Sequence, residues 1–176
     1  MSVSTSVRLR PATPADAPLL RHWDSKPHVI AARGDDSIID WDDELARQSK
    51  LSEYVIAELD GRPIGLMQII DAAREETHYW GDVEEGLAAI DIWIGEESDL
   101  GRGYGTQMMN LALRRCFDDP AFRAVVLDPL ATNTRAHRFY ERLGFRFVER
   151  RTFDDDDCFV LRLDRADWSG ITSRAG

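Results

Sequence analysis

Two short, almost continuous apolar runs stand out in a chain whose other apolar residues alternate with polar ones or recur every three to four positions. The runs are Leu87–Ile94 (LAAIDIWI) and Ala124–Leu127 (AVVL). Apolar runs of this length are typical of buried strands. A helical stretch separates the two runs, and a crossover of that length predicts that the strands are parallel neighbours in one sheet. Ligands bind at the carboxyl ends of such strands.

The remaining pattern predicts an α/β mixture whose first half is antiparallel. Alternation and turn signals predict further strands at residues 7–10, 53–59, 63–70, 145–152 and 158–163. Caps and periodicity predict helices from residue 13 to before Pro27, at 41–49, after the segment 99–106, and at 134–143. Residues 25–40, with Gly34, Asp35 and Asp36 as loop signals, and residues 71–86 are predicted to be irregular.

Composition narrows the class of protein. The 176 residues predict a single domain, 1–176, with a core of about 7–165. The net charge of −10 argues against a nucleic-acid partner and is compatible with a cationic substrate. Because Cys116 and Cys158 lack metal-ligand spacing, we expect two buried thiols and no metal site. No apolar run is long enough to span a membrane and residues 1–11 lack the apolar part of a signal peptide, so we expect a cytoplasmic protein.

A glycine-rich segment leads from the first apolar run into the next helix. Gly101, Gly103 and Gly105 stand at alternate positions in DLGRGYGT, residues 99–106. Glycine lets a backbone approach a ligand closely, and the unpaired N–H groups of a helix's first turn attract phosphate. The pattern predicts a pyrophosphate-binding loop at residues 101–106. It is neither a Walker loop nor GxGxxG, so a plain strand-to-helix turn stays open at this point.

Two motifs that follow one another along the chain resemble those of the GNAT superfamily of N-acetyltransferases. The family's Gln/Arg-x-x-Gly-x-Gly/Ala is similar to LGRGYG at 100–105, with Leu100 in place of Gln or Arg. The family's N-x-x-A-x-x-x-Y-x-x-x-G-F resembles NTRAHRFYERLGF at 133–145. The resemblance covers nearly the whole chain. It implies the GNAT fold, a mixed central sheet of about seven strands flanked by helices, with acetyl-CoA between two splayed parallel strands.

The resemblance also implies which residues hold acetyl-CoA as the acyl donor. The pyrophosphate would lie on the glycine-rich loop, and the pantetheine arm between the strand that ends near Ile94 and the strand that starts near Val125. The residues expected to bind acetyl-CoA are Ile92, Trp93, Ile94, Gly101, Arg102, Gly103, Tyr104, Gly105, Thr106, Asn133, Arg135 and Ala136.

Asp91 and Tyr140 are the candidate catalytic residues. A carboxylate within an apolar strand is costly to bury without a partner or a task. Asp91 could accept the proton of an ammonium, directly or through water, and could anchor that ammonium, or it could face solvent. The hydroxyl of Tyr140 could protonate the departing thiolate of coenzyme A, or the ring could serve only in packing.

Further segments resemble the aminoglycoside 6'-N-acetyltransferases, among them GRPIGLMQ at 61–68, AID at 89–91 and LDP at 127–129. The resemblance implies acetylation of the 6'-amino group of a polycationic antibiotic, which confers resistance. Asp128 would bind substrate amines, although it could equally cap a turn before Pro129. Aromatic side chains could stack on sugar faces, and the acidic stretches 35–44 and 71–85 could hold ammonium groups. The expected substrate-binding residues are Asp91, Asp128, Trp41, Tyr79, Trp80 and Gln68.

Two other functions stay open at the level of sequence. The segment KPHV at 26–29 also resembles a branch that acylates hydroxylysine-type amines in siderophore biosynthesis, with longer acyl-CoA donors and a more apolar pocket. The chain could also be a module that binds acetyl-CoA without turnover, but the presence of both Asp91 and Tyr140 weighs against this. We expect no nucleic-acid or membrane partner, and a monomer or a homodimer.

Overall fold

The structure is a computed structural model that describes residues 6–34 and 38–172, with side chains as far as Trp168. Asp35 and Asp36, two of the predicted loop residues, lie outside the described residues. The strands are β1 (Val7–Pro11), β2 (Ser52–Leu59), β3 (Arg62–Asp71), β4 (Leu87–Ile94), β5 (Ala124–Leu127), β6 (Arg146–Phe153) and β7 (Asp156–Asp164). The α-helices are α1 (Ala17–Asp24), α2 (Pro27–Arg33), α3 (Trp41–Ala46), α4 (Tyr104–Asp118), α5 (Thr134–Arg142) and α6 (Arg165–Thr172).

The strands form one seven-stranded mixed sheet in the order β1-β2-β3-β4-β5-β7-β6. The predicted parallel pair is confirmed: Leu87, Ala88 and Ala89 of β4 pair with residues 124–126 of β5. The pairs β1/β2, β5/β7 and β6/β7 are antiparallel. Beyond the pair at Ala89, β4 continues for five residues to Ile94.

The chain divides into two compact units, one made of Met1–Ile69 and Asp91–Ala112 and the other of Ile70–Ile90 and Leu113–Gly176. The single domain inferred from chain length stays a prediction.

The core of the first unit is built around α1, α3 and β2. Its buried side chains include Leu20, Trp23, Trp41, Tyr54 and Ile56. Burying each large apolar side chain contributes about 1.5–3 kcal/mol. The predicted helix start at residue 13 is confirmed as a turn of 3-10 helix, Pro14–Asp16, that runs into α1. There the carboxylate of Asp16 accepts a hydrogen bond from the backbone N–H of Thr13 at 2.8 Å.

The core of the second unit lies beside β4, β5 and β7. It includes Trp80, Leu87, Val126, Phe153 and Cys158. Cys116 is also buried, so the prediction of two buried thiols is confirmed. In the part of the chain that the structure describes, no helix combines the length and the apolar character needed to cross a membrane.

Three helices differ from the sequence prediction. The prediction that residues 25–40 are irregular is wrong in part, because α2 occupies Pro27–Arg33. Pro27 was taken to end a helix, but it occupies the first turn of a new one, where its missing N–H costs nothing. Gly34, with φ of +89°, ends α2. Helix α6 was not predicted, and α3 ends at Ala46 rather than near residue 49.

Candidate active site

The glycine-rich loop of the first unit is open on the side where side chains would lie. Gly101 and Gly103 have φ values of +70° and +81°, a region that favours glycine, and a Cβ added at either position would meet no atom within 4 Å. Helix α4 begins at Tyr104, so residues 104–106 of the predicted loop form its first turn. The N–H groups of its first turn have no intrahelical partner. An exposed backbone with these donors fits a phosphate group.

An ion pair with a buried carboxylate fixes the chain immediately before this loop. The carboxylate of Asp99 is 4% exposed and accepts two hydrogen bonds from the guanidinium of Arg62, at 2.8 and 2.9 Å. The guanidinium holds the pKa of Asp99 below its ordinary value. Arg62 is the first residue of β3, so the pair ties the entrance of the loop to the sheet. Sequence reasoning missed this pair, because the two residues are 37 positions apart.

The carboxyl-terminal half of β4 carries Asp91 and the predicted acetyl-CoA-binding residues 92–94. All four side chains are half-buried. Nε2 of His28 lies 2.9 Å from the carbonyl oxygen of Ile94 and so helps to fix the end of the strand. Because residues 90–94 continue past the last pair with β5, this segment fits an extended ligand that carries amide groups.

Asp91 belongs to an acidic neighbourhood within the first unit. Burial raises the pKa of Tyr54, and the negative charges of Glu44, Asp91 and Asp24 raise it further. The hydroxyl of Tyr54 donates a hydrogen bond to Oε2 of Glu44 at 3.0 Å. Asp24 pairs with Arg33 and Glu44 with Arg47, which offsets part of this negative charge. The remaining negative charge favours the approach of a cation.

Two of the predicted substrate residues in the first unit have other contacts. Trp41 is 1% exposed, and its Nε1–H donates a hydrogen bond to Oδ2 of Asp24 at 2.6 Å. The expectation that Trp41 stacks on a sugar is therefore corrected, because its ring faces are covered by protein. Gln68, on β3, donates a hydrogen bond to Oγ of Ser52 at 3.0 Å.

In the second unit, the structure brings Tyr79 and Asp128 together. The hydroxyl of Tyr79 donates a hydrogen bond to Oδ2 of Asp128 at 2.6 Å. Burial raises the pKa of Asp128, and the bond from Tyr79 opposes that rise. Tyr79 is 42% exposed, whereas Trp80 is 3% exposed and lies in the core. The expectation of sugar stacking is corrected for Trp80, because only Tyr79 keeps an accessible ring.

Helix α5 carries the remaining predicted residues. The side chain of Asn133 caps the helix, since its Oδ1 accepts a hydrogen bond from the N–H of Ala136 at 3.1 Å. Arg135 is exposed in the first turn. Tyr140 is 8% exposed, and its ring lies 5.1 Å from that of Phe139. Asn133 therefore caps α5, and the N-x-x-A spacing in the sequence also indicates this role.

The predicted residues therefore fall into two groups. The first unit holds Asp91, residues 92–94 and the loop 101–106, and the second holds Tyr79, Asp128 and the residues of α5. Within residues 6–34 and 38–172, no three His, Cys, Asp or Glu side chains come together in a way that could hold a metal ion.

Comparisons with known proteins agree with this architecture. The family model described as an acetyltransferase (GNAT) domain matches residues 12–153. The chain is 30% identical over 149 residues to the aminoglycoside N(6')-acetyltransferase type 1 of Klebsiella pneumoniae, a match that covers 80% of this chain and 74% of that protein. It is 26% identical over 144 residues to the lysine N-acyltransferase MbtK of Mycobacterium tuberculosis, a match that covers 80% of this chain and 69% of that protein. A crystal structure of the aminoglycoside acetyltransferase AAC(6')-Ib with coenzyme A and kanamycin superposes with a TM-score of 0.85 at 27% identity, covering 95% of this chain and 99% of that one.

Proposed function

Since this chain belongs to the GNAT family of acetyltransferases and uses acetyl-CoA as its cosubstrate, we propose that it acetylates the 6'-amino group of an aminoglycoside. The observation that carries the proposal is the 30% identity to an aminoglycoside N(6')-acetyltransferase across most of both chains. The complex of AAC(6')-Ib with kanamycin supports the choice of substrate class. The net charge of −10 suits a substrate with several ammonium groups.

Acetyl-CoA supplies an acetyl thioester, and the residues of this chain have to hold and orient it. In the proposal, the pyrophosphate binds the backbone N–H groups of residues 101–106, at the amino terminus of α4. The open space beside Gly101 and Gly103 supports this assignment. The backbone of residues 92–94, past the last pair with β5, would bond the amide groups of the pantetheine arm.

Asp91 would accept the proton that the amine must lose. A protonated amine has no lone pair, so transfer requires a base near the reacting nitrogen. The ammonium first gives one proton to the carboxylate of Asp91, directly or through water. The neutral nitrogen would then attack the thioester carbon, lose its second proton to water, and the bond from carbon to sulfur would break as the thiolate departs. The half-buried position of Asp91 and the carboxylates near Tyr54 support a role in holding a cation.

Tyr140 would donate its phenolic proton to the thiolate of coenzyme A as that group departs. A neutral phenol is the form that can make this donation, and protonation of a leaving group contributes roughly 10²–10⁴-fold to rates. Its place on α5, within the segment that resembles the second GNAT motif, supports this assignment.

Asp128 would hold an ammonium group of the aminoglycoside. It directly follows β5, at the carboxyl end of a parallel strand, where ligands of open α/β sheets bind. Of the three aromatic residues predicted to contact sugars, Tyr79 keeps the exposure that stacking needs.

One alternative has a specific observation in its favour. The 26% identity to a lysine N-acyltransferase keeps acyl transfer to a lysine-type amine open as a second function. Under that alternative, the preferred amine would be lysine or hydroxylysine rather than an antibiotic.

A panel assay separates these functions. The protein is incubated with acetyl-CoA and one amine at a time, namely kanamycin, tobramycin, lysine or N6-hydroxylysine, and the acetylated product is measured by mass spectrometry. We expect acetylation of kanamycin and tobramycin at rates well above those for lysine. A reaction without protein serves as the control for uncatalysed transfer. Product from the lysine-type amines alone would favour the alternative and reject the aminoglycoside.

A further inference from the structure

The segment of residues 75–79, which carries Tyr79, is held in place by the buried carboxylate of Glu75. Glu75 is 5% exposed, and its Oε2 accepts hydrogen bonds from the N–H and the hydroxyl of Thr77, at 2.7 and 2.6 Å. Its Oε1 accepts a third bond, at 2.7 Å, from the N–H of Tyr79. Three donors satisfy this buried charge and fix the backbone of residues 75–79.

The side chain of Tyr79 is fixed as well, although it is 42% exposed. Its ring stacks on that of Phe153, with a centroid distance of 4.8 Å and an interplanar angle of 11°. Phe153 also contacts the indole of Trp80 and the guanidinium of Arg151, which lies 4.6 Å from the centre of the Phe153 ring. A phenol held at both its backbone and its ring presents the hydroxyl in one place.

The hydroxyl of Tyr79 is one of several groups that favour or oppose the ionisation of Asp128. Asp156 on β7 opposes ionisation of Asp128, whereas Arg151 on β6 favours it, and the thiol of Cys158 also feels the charge of Asp128. Burial is the largest influence and disfavours the charged carboxylate. Next in size comes the hydrogen bond from Tyr79, which favours the charged form.

We propose that Tyr79 is the positioning residue of Asp128: its hydroxyl holds one carboxylate oxygen and leaves the remaining acceptor sites of Asp128 for a substrate ammonium. The proposal rests on the proposed function in that Asp128 binds an amine. A carboxylate has about four acceptor positions, so one phenolic donor does not block a second, cationic donor. The bond restricts rotation of the carboxylate and favours its charged form, and both effects favour a bound cation.

The test uses Tyr79→Phe, which keeps the stacked ring and removes only the hydroxyl. Calorimetry of kanamycin binding to the full chain should show Kd raised roughly tenfold, as expected for a lost hydrogen bond to a charged group. The loss should fall on KM more than on kcat, because Tyr79 touches no reacting atom. In an Asp128→Asn background, the same substitution should leave Kd unchanged, as a double-mutant cycle requires when two residues act through one bond.

A second measurement reads the bond without any substrate. With ¹³C-labelled aspartate carboxyls, the signal of Asp128 is identified by its loss in Asp128→Asn, and its titration midpoint is compared between wild type and Tyr79→Phe. The midpoint should rise in the variant, because the charged carboxylate has lost the hydrogen bond that stabilised it. An unmoved midpoint overturns the proposal, and so does a moved midpoint with unchanged Kd for kanamycin. If kanamycin binds but is not acetylated, the proposed function fails, whereas the inference about Tyr79 is still tested by Kd and the midpoint. If kanamycin does not bind the wild type, both fail.

Discussion

Replacing Arg62 with Met would remove the guanidinium that holds Asp99 at the entrance of the glycine-rich loop. Breaking a fully buried ion pair costs about 3–5 kcal/mol. The side chain of Asp99 is 5% exposed but that of Arg62 is 54% exposed, so water can reach the carboxylate once the guanidinium is gone. We therefore expect a smaller loss of unfolding free energy, about 2 kcal/mol. For a chain of this size, that loss lowers Tm by about 4–8 °C.

The same substitution should weaken acetyl-CoA binding. The loop directly follows Asp99, and a loop that has lost its anchor must be ordered again when the pyrophosphate binds. An ordering cost of about 1.4 kcal/mol raises Kd about tenfold. Calorimetry with acetyl-CoA measures Kd, and urea unfolding measures stability.

The matched control is Arg47→Met. Arg47 also pairs with carboxylates, but its side chain is 65% exposed and the pairs lie on the surface of α3. We expect a loss below about 0.5 kcal/mol and an unchanged Kd for acetyl-CoA. If Arg62→Met changed stability and Kd as little as Arg47→Met does, the loop would not depend on this ion pair.

The pH dependence of the Arg62 effect has a definite sign. The pKa of Asp99 is lowered in the folded protein, so its ionisation stabilises the fold above the unfolded pKa of about 3.9. That stabilisation is lost as the pH falls from about 4 through the folded pKa. The difference in stability between wild type and Arg62→Met should therefore shrink in that range, and a constant difference would contradict the assignment.

Three further predictions follow from other residues. Asp91→Asn should lower kcat/KM for the amine by roughly 10²-fold or more with unchanged circular dichroism, and near-normal turnover would remove Asp91 from the mechanism. Trp41→Ala should cost about 3–5 kcal/mol in urea unfolding, because the ring is 1% exposed; a loss of amine binding at full stability would instead restore a stacking role. Burial raises the pKa of Cys158 to about 12, so the native protein should not react with a thiol reagent at pH 8, and fast native labelling would contradict this. Because an unfolded thiol ionises above pH ~8.5, the stability that the fold gains from the neutral Cys158 is present below that pH and should be lost as the pH rises from there.

The sequence predicted the elements that depend on local signals. The apolar runs of β4 and β5 have the bounds expected from the pattern, because β5 and the first half of β4 are buried, and buried strand positions are filled by apolar side chains. The glycine of the hairpin between β2 and β3 has a φ of +82°, in keeping with its turn signal. The start of α3 at residue 41 was also predicted, and Asp40 caps it by accepting a hydrogen bond from the N–H of Asp43.

Features that depend on contacts between distant residues could not be predicted. Tyr79 and Asp128 are 49 positions apart, and no periodicity joins a loop to the end of a strand. The burial of Trp41 and Trp80 depends on which neighbours cover them, and aromatic residues occur both in cores and in binding sites. Pro27 illustrates the same limit at short range, since proline both ends helices and occupies their first turn.

The most direct test of the proposed function is the position of the acetyl group after reaction. The protein is incubated with acetyl-CoA and kanamycin, the product is purified, and its site of acetylation is determined by NMR spectroscopy. We expect a monoacetylated product with the acetyl group on the 6'-nitrogen, formed by Asp91→Asn roughly 10²-fold more slowly than by the wild type. Unmodified kanamycin, or acetyl on a different nitrogen, would contradict it.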